Sequence, residues 1–145
     1  MRLLLDTHAL LWALETPARL PAWIRAAIED TGNEVFVSAA SAWEIAIKQL
    51  LGRLSVPRVD LASALRAAGL AELPITLAHA ERIRSLPPLH RDPFDRMLVG
   101  QAQAEGLSLV SRDAAIRQYQ VTVLWDPELQ SSRIAYGATR KRRRR

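Results

Sequence analysis

Short apolar runs that alternate with amphipathic helical stretches constrain this chain more than any other feature of it. Arg2–Leu5, Val35–Val37, Leu107–Ser111 and Val121–Leu124 read as buried strands. Between them lie helical patterns: His8–Leu14, a stretch from Pro21 through Ile24, Ala27 and Ile28 to Gly32, and a long helix from Ser38 and Ser41 to Leu51, closed by Gly52. Asp60–Ala68 and Leu77–Leu86 are helical as well, and Pro87-Pro88 breaks the second of them. Phe94, Met97, Leu98 and Ala102 form a further apolar helical stripe, and Asp113–Gln118 is a short helix. Leu73-Pro74-Ile75 is expected to be an edge strand, because proline cannot donate to an inner ladder. Strands separated by helices imply βαβ crossovers. The expectation is therefore an α/β fold whose mostly parallel sheet is covered on both faces.

A length of 145 residues suits one domain with a sizeable core. We place that domain at residues 1–139 and a basic tail at 140–145. The tail decides how the charge is read. Removing its six positive charges from the net +5 leaves −1, so the pI of about 10.6 belongs to the tail. Such a run repels itself, is expected to be disordered, and can bind a phosphate backbone without sequence preference. The lack of cysteine excludes disulfides and zinc–thiolate sites. No apolar run approaches the roughly 18 residues of a membrane span, and the first residues meet Asp6 too soon for a signal peptide. A cytoplasmic protein without a membrane partner is expected.

In a parallel sheet, ligands bind beyond the carboxyl ends of the strands, where strand order reverses. Four acids fall there. Asp6 ends the first strand, Glu44 lies in the first turn of the helix after the second, and Asp113 follows the strand Leu107–Ser111. Asp95 is in the first turn of the helix that leads back into that strand, with Asp92 as its N-cap and Pro93 at the first helical position. Each has a bland reading: Asp6 as a cap, Glu44 in a capping box with Ser41 or paired with Lys48, Asp113 as the start of a helix. Independent caps do not need to converge on one edge. Two like charges 4 Å apart repel by about 4 kcal/mol at an effective dielectric near 20. Four together weigh heavily on a domain stable by about 5–15 kcal/mol. Proton sharing or a bound cation relieves the load, and oxygen ligands suit Mg²⁺ or Mn²⁺. The chemistry such a site supports is phosphodiester hydrolysis.

The segments LLLDTHALLW (3–12), SAASAWEIAIK (38–48), HRDPFDRMLVGQA (90–102) and LVSRD (109–113) together resemble the VapC-type PIN-domain ribonucleases, the toxins of type II toxin–antitoxin pairs. The likeness runs from Arg2 to about Pro127. It implies a three-layer α/β/α domain, Mg²⁺-dependent endonucleolytic cleavage of RNA, a homodimer, and a cognate antitoxin that occupies the acidic groove. It also implies that Asp6, Glu44, Asp95 and Asp113 are catalytic, that Asp6, Asp95 and Asp113 bind metal, and that Ser111 and Asp92 support them. The tail departs from the family's usual ending. The alternative is a non-catalytic RNA-binding protein that relies on the arginine-rich tail.

Other residues leave two readings open. Lys48 pairs with Glu44 or meets phosphate, and Arg96 and Arg112 meet RNA backbone or solvent. Trp12, Trp23, Trp43 and Trp125 pack in the core or an interface, or stack bases. His8 belongs to the first helical turn. The surplus apolar face of the helix Ala42–Leu51 suits a dimer or antitoxin contact. Gly100 inside a helix calls for close packing against a neighbour.

Overall fold

Leu3, Leu4 and Leu5 have no solvent exposure, and the strand they form is the middle of the sheet in a computed structural model that describes residues 1–55 and 60–125. Five strands, β1 (Arg2–Leu5), β2 (Glu34–Ser38), β3 (Ala71–Leu73), β4 (Ser108–Val110) and β5 (Val123–Leu124), lie in the order β3-β2-β1-β4-β5. Every neighbouring pair is parallel. Six helices connect them: α1 (Thr7–Glu15), α2 (Ala22–Glu29), α3 (Ala39–Leu50), α4 (Leu61–Ala67), α5 (Leu77–Ile83) and α6 (Pro93–Glu105).

Alternation along each strand sends side chains to two cores. Leu3, Leu5, Val35, Val37 and Val110 meet Leu10, Ile24 and Leu65 of α1, α2 and α4. Leu4 and Leu109, with Phe36 against them, meet Leu98, Val99 and Ala102 of α6. A sheet between two helical layers is the expected three-layer α/β/α arrangement. Each fully buried leucine contributes about 1.5–3 kcal/mol through the hydrophobic effect.

Several boundaries shift. β3 ends at Leu73, because Pro74 has no N–H to continue the ladder; its carbonyl instead accepts from the Gln101 amide. The helix expected from Asp113 is a 3-10 turn at Ile116–Gln118, and Pro17–Arg19 forms another 3-10 turn. α3 begins directly after β2, capped by Ser38, whose hydroxyl accepts from the Ala40 N–H. Glu44 therefore rides the second turn, not the first, and forms no capping box with Ser41. The tail expected at 140–145 lies outside the described residues. Among the described helices, none is long and apolar enough to cross a membrane.

Strand order reverses at β1. The chain moves outward through β2 and β3, then returns to the other side of β1 through β4 and β5. The carboxyl ends of β1 and β4 thus flank the crevice in which parallel sheets bind ligands.

Candidate functional site

Asp6 follows β1 immediately, and its backbone N–H donates to the Val110 carbonyl, extending the pairing with β4. Its carboxylate Oδ1 accepts from the Ala9 N–H at 2.7 Å and so caps α1. The capping reading holds for this residue, and the Ser111 hydroxyl also bonds to the carboxylate. Ser111 is fully buried, and its Oγ accepts from the Asp113 N–H at 3.0 Å. Asp113 Oδ1 accepts in turn from Ala115.

Asp92 caps α6 as expected, with Oδ1 accepting from the Phe94 and Asp95 N–H groups. That cap starts α6 at the carboxyl edge of the sheet and sets Asp95 on its first turn. Glu44 is buried, yet both of its oxygens are engaged. The Thr7 hydroxyl donates to Oε1 at 2.6 Å, and Lys48 Nζ pairs with Oε2 at 2.6 Å. Ser41 Oγ lies 3.1 Å from Thr7 Oγ1 and completes this buried polar knot.

The acids sense one another. Burial raises the Asp6 carboxyl above its ordinary range, against hydrogen bonds from Ser111 and Ala9 that lower it, and the charge of Asp113 adds to the rise. Asp95 is pushed up to about 6, first by burial and then by the charge of Asp92, with smaller contributions from Asp6 and Glu44 and an opposing hydrogen bond from His90. Four acids distant in sequence are therefore close enough to interact at one edge.

His90 completes the cluster. Its Nε2 is 2.9 Å from Asp95 Oδ2 and 3.4 Å from Asp113 Oδ2, and the three side chains hold their ligand-type atoms within 4.8 Å of one another. An open cleft of about 390 Å³ adjoins the site, lined by Asp6, His8, Trp12, Arg112 and Asp113. Asp95 and Asp113 bring carboxylate oxygens to the His90 cluster, and Asp6 lies outside it, on the adjoining cleft with Asp113, so the oxygen donors at this edge are carboxylates. Together with two carboxyls displaced by burial and like charge, that set fits a hard divalent cation.

A family model described as PIN domain matches residues 3–121. The chain belongs to the PIN-domain family. Within it, the chain is similar to Ribonuclease VapC16 of Mycobacterium tuberculosis, 38% identical over 64 residues. That match takes in 42% of this chain and 45% of the relative, so less than half of the relative's length is covered. Among solved structures, VapBC2 from Rickettsia felis, bound to a DNA fragment from its promoter, aligns with a TM-score of 0.66 at 16% identity, over 87% of this chain and 100% of that one. FitAcB from Neisseria gonorrhoeae aligns at 0.52 and 22% identity, over 86% and 97% of the two chains. PAE2754 from Pyrobaculum aerophilum aligns at 0.52 and 21% identity, over 94% and 90%. These likenesses bear out the α/β/α fold.

In this PIN domain the readings left open for several residues resolve, most of them to one of the expected alternatives. Arg96, partly exposed, is engaged by the protein itself. Its guanidinium donates to the Pro87 carbonyl at 2.9 Å and the Tyr119 hydroxyl at 3.1 Å, with the Leu86 and His90 carbonyls at 3.4 and 3.5 Å, so it pins the loop before α6. Lys48 takes the Glu44 pairing, and Arg112 is exposed at the cleft. His8 is exposed on the first turn of α1 with its ring against Trp12. Trp12, Trp23 and Trp125 pack together, whereas Trp43 is 60% exposed and meets Phe94 edge-on. The apolar face of α3 borders a groove of about 620 Å³, where Ala42, Ile45 and Ala46 stand opposite Leu11, Leu14 and Leu61.

Thr7 and His90 were not singled out for any role from the sequence. The Thr7 contact with Glu44 spans 37 positions, which no local spacing encodes. His90 sits inside the HRDPFDR segment, two residues before the cap of α6, and that proximity to Asp95 was the available signal.

Proposed function

We propose that this PIN domain is a divalent-metal-dependent endoribonuclease that acts as the toxin of a type II toxin–antitoxin pair in the cytoplasm. One observation carries the catalytic half. Asp6, Glu44, Asp95 and Asp113 interact at the switch point of the sheet, where burial and mutual repulsion make a divalent ion the natural counter-charge. Asp6, Asp95 and Asp113 would hold Mg²⁺, with Mn²⁺ as a substitute. Such an ion would supply Lewis acidity, polarising a phosphate oxygen and lowering the pKa of a bound water.

The chain's own residues supply order. Asp92 and the α1 and α6 termini fix where the carboxylates sit. Ser111 holds Asp6, and Thr7 with Lys48 fixes Glu44 as a stationary negative charge beside the others. Arg112, exposed at the cleft, offers positive charge to an incoming phosphodiester. The toxin half draws on the likeness to Ribonuclease VapC16 and on the fold shared with VapBC2 and FitAcB. The groove beside α3 is an apolar surface suited to an antitoxin segment, and a homodimer belongs to the same reading.

The test is cleavage of a single-stranded RNA reporter with Mg²⁺ or Mn²⁺. The parent is expected to cut, EDTA to stop it, and Asp6→Asn and Asp95→Asn each to lower the rate by at least about 100-fold, as loss of a positioned charge stabiliser does. Cleavage in EDTA, or variants as active as the parent, would sink the assignment. Growth arrest on induction, relieved by co-expressing the protein encoded beside this gene, tests the toxin half.

A further inference from the structure

We propose that His90 is a positioning residue, not a metal ligand: its Nε2–H donates to Asp95, with Asp113 alongside, and holds the Asp95 carboxylate in place for a divalent ion. The inference rests on the metal-dependent reading above and deepens it. On distances alone His90 passes for a ligand, since its Nε2 shares a 4.8 Å cluster with both carboxylates. The other ring nitrogen decides against that.

A ligating imidazole turns a bare nitrogen to the ion, and its second nitrogen carries a proton and donates it to an acceptor. At His90 the second nitrogen does the reverse. The backbone N–H of Arg91 donates to Nδ1 at 3.1 Å. A nitrogen that accepts carries a lone pair, so the ring proton is on Nε2. That proton faces Asp95 Oδ2 at 2.9 Å, with Asp113 Oδ2 at 3.4 Å. Direct ligation in this orientation would leave the Arg91 N–H against a protonated Nδ1, two donors face to face.

The ring is also held from behind. Arg96, the neighbour of Asp95 on α6, binds carbonyls of the loop that carries His90. One helix thus positions both the carboxylate and the loop whose imidazole donates to it. Each carboxylate keeps its other oxygen for an ion, and Asp113 Oδ1 is shared with the Ala115 N–H.

Nitrogen-15 NMR of the metal-free protein reads the ring directly, and the expected result is a His90 protonated on Nε2. In the Mn²⁺-loaded protein, electron spin-echo spectroscopy is expected to show no His90 nitrogen bound to the ion. Titration calorimetry with MnCl₂ is expected to give a 10–100-fold weaker affinity for His90→Ala, the usual effect of removing such a partner, and a partial recovery for His90→Gln, whose amide still donates. A ring protonated on Nδ1 overturns the proposal. So does a nitrogen coupling that disappears in His90→Gln, or a His90→Ala that binds Mn²⁺ as well as the parent. A parent that binds no Mn²⁺ overturns the metal-dependent reading itself, whereas the other failures remove only the role of His90.

Discussion

Asp95 carries the sharpest electrostatic consequence of the site. Its carboxyl is pushed from 3.8 to about 6 in the fold, chiefly by burial. Between those values the folded state binds a proton that the unfolded chain does not, so the group favours folding when protonated. Its contribution is fully present below about 3.8 and is lost as pH rises through about 6, an effect of at most about 3 kcal/mol. Asp6 is shifted in the same direction. In EDTA, the melting temperature of the parent is therefore expected to rise on going from pH 7 to pH 5, and Asp95→Asn to flatten that rise. Equal slopes in differential scanning fluorimetry would show that Asp95 is not the source. Asp6 and Asp113 were legible as candidates because each closely follows an apolar strand, and Asp95 because a recognisable cap and proline precede it. Thr7 and His90 were not, since one hydroxyl or one imidazole acquires a role only when a distant carboxylate arrives beside it.

Helices were legible in kind and less so in phase. The proline and aspartate that open α6 gave its start to the residue, because a cap and a missing N–H are local facts. α3 was legible as a helix but misplaced by part of a turn: Ser38 and Ser41 are both plausible caps, and only the end of β2 selects Ser38. Gly100 shows where an element-level argument needs coordinates. A glycine inside α6 suggested that a neighbour presses against it, and α5 does pack there. Yet a Cβ added at this position would meet Ile83 Cγ1 at 3.4 Å and the His79 carbonyl at 3.5 Å, ordinary contact distances. The packing accepts a methyl group, so the helix gains about 1 kcal/mol of propensity when Gly100 becomes alanine. For a domain of this size, Gly100→Ala is expected to raise the melting temperature by about 4 °C. A fall would mean that the α5–α6 approach tolerates less than those distances imply.

At the scale of the molecule, the sheet order makes residues 6, 44, 95 and 113 neighbours, although the chain visits both outer layers between them. The alternation of strands and helices predicted the parallel sheet, and the parallel sheet predicted the edge at which the acids meet. The side of β1 on which β4 inserts is set by tertiary packing, with Leu4 and Leu109 buried under α6. A divalent ion held at that edge as proposed would act as a cross-link among β1, β4 and α6, and the unfolded chain does not form the site. Binding must then stabilise the whole fold by mass action, by about 2.7 kcal/mol at a concentration 100 times the dissociation constant. Calorimetric melts of the parent are expected to rise by about 10 °C when MnCl₂ reaches that ratio, and EDTA to reverse the shift. Asp6→Asn and Asp95→Asn stand on different elements, yet each is expected to abolish the rise. Were only one of them to do so, the ion would be held by a single element and the switch-point site would be the wrong description.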